Sequence, residues 1–124
     1  MNLKNLSNSI LLNEAKSAVN EERNATFKVL NYLREIESRR LHLEEGYSSM
    51  FDFCLKCLGY DESQTHRRLS AMKLMREIPQ IESKVISGKL SLSALSKAKS
   101  AFNKMAKTNE ALNLSEKAEV LKTL

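Results

Sequence analysis

Apolar residues recur at steps of three and four along the first 45 positions. Leu12, Ala15, Val19, Val29, Leu33, Ile36 and Leu43 fall on one stripe, interrupted by Glu22, Thr26 and Arg40. That period belongs to a helix. Ser7 or Ser9 can cap its start, and Gly46 is the first glycine or proline in the chain. The pattern therefore predicts a helix reaching Gly46, either continuous or broken near 20–24. Shorter helices follow. Ser49, with Asp52 three residues on, opens one through Phe51, Phe53, Cys54 and Leu58, closed by Gly59. Asp61 caps a third that holds Thr65, Leu69, Met72 and Leu74 and stops before Pro79. Pro79 suits the first turn of a fourth, with Ile81, Val85 and Ile86 inward and Gly88 as its stop. Ser91 caps a fifth (Leu92, Leu95, Ala98, Phe102, Met105) and Ser115 a sixth. The sixth carries Ala118, Val120, Leu121 and Leu124 to the terminus, so the chain reads as the leading piece of a longer protein.

Composition narrows the class. With 3 Gly and 1 Pro in 124 residues, the chain cannot supply the turns of a sandwich or barrel. The expected fold is all-α: a long N-terminal helix followed by a helix-turn-helix and further short helices. Residues 1–45 form the long helix or helical hairpin, and 46–124 the helix-turn-helix-containing bundle, within one structural domain. No apolar run is long enough for a membrane span, and the N-terminus is not a secretory signal. The 2 Cys make no disulfide framework, so the cytoplasm is the expected compartment.

The charge is divided unevenly. Residues 1–60 carry 8 Lys and Arg against 8 Asp and Glu, whereas residues 61–124 carry 12 against 7. The whole net charge of +5 sits in the second half. A polyanion-binding surface explains that division better than a general need for solubility.

The segment from Ser49 to Leu74 carries the most specific signal. A short helix, a corner at 59–61 and a second helix form the pattern of a helix-turn-helix. Phe53, Cys54 and Leu58 are placed to meet Thr65, Leu69 and Met72 inside. The outer face is then drawn from Glu62, Ser63, Gln64, His66, Arg67 and Ser70; Arg67 and Arg68 are the natural duplex contacts, with Lys73 and Arg76 flanking. Residues at the start of such a helix reach base edges, while cations further along meet phosphates. Lys89, Lys97, Lys99, Lys104 and Lys107 make a second basic group, with Lys97 and Lys104 on one face. The alternative for both groups is an ordinary solvated surface.

Residues 39–98 resemble the N-terminal helical region of bacterial HNH endonuclease-like proteins. The resemblance rests on RRL-x-L-x-x-GYSS-x-F-x-x-C from Arg39 to Cys54, and on Leu58–Gly59 followed by Arg67–Arg68. Residues 58–98 are also similar, more loosely, to the helix-turn-helix of chromosome-partitioning ParB proteins. There the shared elements are Leu58–Gly59, Pro79 and Gly88–Lys89–Leu90–Ser91. The resemblance implies a DNA-binding or positioning module that precedes a nuclease domain. The nuclease itself is not in this chain. His42 and His66 are its only histidines, both on predicted helices, whereas an HNH site needs histidines on a ββα segment to activate water and hold a metal.

Other candidates for chemistry have plainer readings. Cys54 and Cys57 form a lone CxxC without the second ligand pair zinc needs or the strand a redox site needs. His42 complements the C-terminal dipole of the first helix. Glu44 and Glu45 are adjacent and point apart, so they are no acid–base pair. The expectation is no enzyme in this chain, no cofactor, no metal and no small-molecule substrate. Double-stranded DNA is the expected partner. The competing expectation is a protein-interaction module, in which the first helix pairs with itself in a homodimer. DNA binding and dimerisation are compatible.

Overall fold

The computed structural model describes residues 2–124. It is 76% helical, with seven α-helices and no strand among the described residues. The fold is all-α. The first helix, α1, runs unbroken from Asn8 to Ser38, and the Ser7 hydroxyl accepts from the Ile10 amide at 3.2 Å to cap it. There is no break near 20–24. The helix nevertheless stops short of Gly46. Arg40 takes a left-handed conformation (φ 55°, ψ 31°), and the chain restarts as the four-residue α2, Leu41–Glu44. That kink turns His42 inward, where it is buried, and leaves Leu43 exposed. A straight helix would have continued the stripe to Leu43. His42 is thus a buried residue past the kink and not a cap on the first helix.

The two halves of α1 differ sharply. Every residue from Ser7 to Glu22 is exposed, Leu12 by 63% and Val19 by 47%. About 22 Å of helix stands clear of the body, at ~1.5 Å per residue. Further along, Leu30 and Leu33 are each 1% exposed. They belong to two separate core clusters, which take the second half of α1 into the body.

The helix-turn-helix elements are α3 (Met50–Lys56) and α4 (Glu62–Glu77). Ser49 caps α3 through its hydroxyl, with the Asp52 amide at 2.9 Å. The Asp52 carboxylate closes back onto the Ser48 amide at 3.4 Å, not onto Ser49. The helix ends at Lys56, before Leu58, which is 43% exposed and takes no part in the inner contact expected of it. The corner spans 57–61, with Gly59 at φ 77°. Asp61 and Gln64 then form a complete capping box. The Gln64 amide donates to Asp61 at 2.7 Å and the Asp61 amide to Gln64 at 3.0 Å.

α4 is the hub of the molecule. Leu69 and Met72 join Leu33, Met50, Phe53 and Cys54 in the smaller cluster under α3. Ala71, Leu74 and Met75 join Leu30, Ile78, Ile81, Leu95, Phe102 and Leu121 in the larger one. After the 3-10 turn Pro79–Ile81 comes α5, Glu82–Ile86. Ile81 and Val85 face inward, but Ile86 is 41% exposed, contrary to expectation. The helix is too short to bury adjacent positions 85 and 86 against one surface. Gly88 (φ 81°) then turns the chain beneath the Arg23 side chain, and a Cβ there would stand 2.6 Å from Arg23 Nε.

α6 (Leu92–Lys107) is capped by Ser91, and α7 spans Leu114–Lys122. Asn113, not Ser115, caps α7, because with Glu116 it forms a second reciprocal capping box. The helix ends at Lys122, before Leu124. No described helix is long and apolar enough to cross a membrane.

Candidate nucleic-acid interface

The two capped helices α4 and α6 pack side by side, and their first turns meet. Ser63, His66 and Arg67 of α4 line a shallow groove with Ser93, Ser96 and Lys97 of α6, enclosing about 200 Å³. The capping box explains why the first turns of α4 are the presented part. It fixes the start of the helix at the surface, while 69–72 and 74–78, except Arg76 and Glu77, are buried. Beyond Leu69 on α4, only Lys73, Arg76 and Glu77 escape burial, and of these Arg76 and Glu77 are held in ion pairs.

The expected contact residues separate into three groups. Ser63 and His66 are exposed, and Arg67 is half-buried with its guanidinium donating to the Ser63 hydroxyl at 3.2 Å. Lys97 and Lys104 are exposed on α6, and Lys89 is exposed in the turn before it. Gln64 and Arg68 form the second group, and both are engaged by the fold. The Gln64 carboxamide accepts the cap bond, while Arg68 lies over the Tyr60 ring at 4.4 Å and donates to the Gln64 carbonyl at 3.2 Å. Lys73, alone in the third, lies half-buried further along α4, in a separate cavity that also reaches His66.

The electrostatics follow from which cations are paired. Lys99 contacts Glu77 at 3.0 Å, Lys117 reaches the same carboxylate at 3.6 Å, and Arg76 pairs with Glu37. Burial opposes ionisation of Glu77, but the hydrogen bond and charge of Lys99, with Lys117, outweigh it and hold the carboxyl below its ordinary pKa. Arg67, Lys73, Lys89, Lys97, Lys104 and Lys107 have no carboxylate within 4.0 Å among the described residues. Sequence reasoning missed Ser93 and Ser96 of the groove. The signal for Ser93 was present, since 93, 97, 100, 104 and 107 recur at helical spacing on one face of α6.

Cys54 is fully buried on the inner face of α3, where burial pushes its thiol up, and Cys57 is exposed. Among the described residues no three His, Cys, Asp or Glu side chains are grouped to hold a metal. Compared with protein-family models, curated proteins and solved structures, the chain matches none.

Proposed function

We propose that this chain is a helical DNA-binding module. The first turns of α4 approach the duplex, and α6 grips the phosphate backbone beside them. The observation that carries the reading is the shared groove. It joins Ser63, His66 and Arg67 to Lys97 on a surface whose cations lack carboxylate partners among the described residues. Helix-start side chains suit base edges, and Lys97, Lys104 and Lys107 suit phosphates. Lys89 extends the same charge at the turn before α6. The resemblance to the N-terminal region of HNH endonuclease-like proteins supports the same role, a segment that holds a nuclease on its DNA. A reading frame with an HNH segment downstream of Leu124 is the expected parent. The reading assigns this chain no catalysis of its own and a cytoplasmic, nucleoid-associated location.

The test is binding to random-sequence duplex across a salt series. Affinity should fall steeply with salt. Arg67→Ala with Lys97→Ala should weaken binding and flatten the slope by about one for each phosphate no longer neutralised. Absence of binding at low salt, or unchanged affinity in the double variant, overturns the proposal.

A second reading concerns the exposed half of α1. Leu12, Ala15 and Val19 line its open side, while Val29 and Leu33 from the same stripe are taken up by the body. From Asn8 to Glu22 the arm carries Glu14, Glu21 and Glu22 against Lys16, a charge that disfavours DNA. The occupant that fits is the arm of a second copy, laid antiparallel so that Leu12 faces Val19 and Glu22 stands clear of the other Glu22. Sedimentation should then give a dimer for the native chain and a monomer for Leu12→Asp with Val19→Asp. A native monomer, or a dimer indifferent to both charges, counts against it.

A further inference from the structure

A second cavity, about 470 Å³, adjoins the groove at His66 and lies between the kink after α1, the start of α3, and the middle of α4 and α6. Its walls combine two chemistries. The lining carries Arg40 and Lys73, neither with a carboxylate within 4.0 Å among the described residues. Near them are His66, the Ser70 and Ser100 hydroxyls and the Asn103 carboxamide. The other acid and base on the wall, Glu37 and Lys99, are already committed to Arg76 and Glu77. Two uncompensated cations therefore remain beside several neutral donors. The lining also includes apolar Leu43 and Phe51, 48% and 37% exposed.

The kink builds this cavity. Arg40 is one of two described non-glycine residues with positive φ, an uncommon state for a long side chain. It reverses the end of α1 so that Arg40 and His42 both reach the cavity wall. His42 is 7% exposed, and its Nδ1 has no hydrogen-bond partner among the described residues. Neither residue would stand there on a straight helix.

We propose that the cavity binds a small phosphate monoester with a planar apolar group, of the size and chemistry of a nucleoside monophosphate. The phosphate sits between Arg40 and Lys73 and accepts from His66 and the neighbouring hydroxyls. The apolar group lies against Leu43 and Phe51. Two unpaired cations match a dianion, and a volume of this order suits a ligand larger than a bare ion. The site adjoins the DNA-binding groove but does not include Arg67 or Lys97. Only His66 borders both.

The test is calorimetric titration of the full chain, without DNA, using adenosine 5′-monophosphate and, separately, adenosine. The monophosphate should bind and adenosine should not. Lys73→Gln and Arg40→Gly should each weaken binding by roughly tenfold or more, the scale of one charge-assisted hydrogen bond. Arg40→Gly suits the left-handed backbone, so it removes the guanidinium without straining the kink. Arg67→Ala with Lys97→Ala should leave monophosphate binding unchanged, which separates this site from the DNA reading. The proposal is overturned by no binding up to roughly 10 mM, by equal binding of adenosine, or by affinity that survives both cavity variants. Weakened monophosphate binding in the Arg67 and Lys97 variant overturns it as well.

Discussion

α1 and α4 invert what their patterns suggest. α1 has the regular apolar stripe, yet its first half touches nothing, with Leu12 63% exposed. α4 has apolar residues spread round its circumference between Arg67, Arg68, Lys73 and Arg76, yet it is the helix on which both cores close. The difference teaches that a stripe marks a surface that needs a partner, not one that has found it within the chain. A helix that is apolar on several sides is a centre, because each side requires its own neighbour.

The contrast can be broken by substitution. Leu74→Ala, at a site with 0% exposure between α4 and the larger core, should cost about 2–5 kcal/mol in urea denaturation. An effect no larger than that of an arm variant would remove α4 from its place as hub. Gly88→Ala comes next, with an expected loss of about 1–3 kcal/mol from its positive φ and the Arg23 contact. Combining it with Arg23→Ala should recover part of that loss. Strict additivity would show that the contact does not matter. Asp61→Ala should cost about 1 kcal/mol by opening the capping box that sets the start of α4.

A smaller, pH-dependent effect isolates the ion cluster that joins α4 to α6 and α7. Glu77 has a lowered pKa in the folded chain, so its contribution is complete above the unfolded value near 4.5 and is lost as pH falls through the lower folded value. Glu77→Gln should therefore reduce the stability difference between pH 7 and pH 3, and an unchanged difference would remove Glu77 from the acid response. Leu12→Ala is the smallest, with a change within about 0.5 kcal/mol for the isolated chain. A larger loss would mean that the arm is already covered, and its dependence on protein concentration would identify a second copy.

Much of this was legible in the sequence. Asp61, Ser49 and Ser91 announced their helices, since each is a side-chain acceptor placed before a donor that the helix leaves free. Gly46, Gly59 and Gly88 marked corners that required positive φ. The kink at Arg40 was not legible, because an arginine does not announce a left-handed backbone as a glycine does. The roles of Gln64 and Arg68 were hidden as well. Both looked like outward polar residues until a cap and the Tyr60 ring engaged them. Of the candidate site, the lysines on α6 could be read from spacing, but their meeting with Ser63 and Arg67 depends on how two helices pack.

The unbroken course of α1 has a mechanical consequence. No glycine or proline interrupts it between Asn8 and Ser38, so it is a lever and not a tether. Its fulcrum is the place where Arg23 rests on Gly88, at the turn that leads into α6. Whatever grips the arm therefore fixes more than the distance to the basic face. It sets the direction in which that face points.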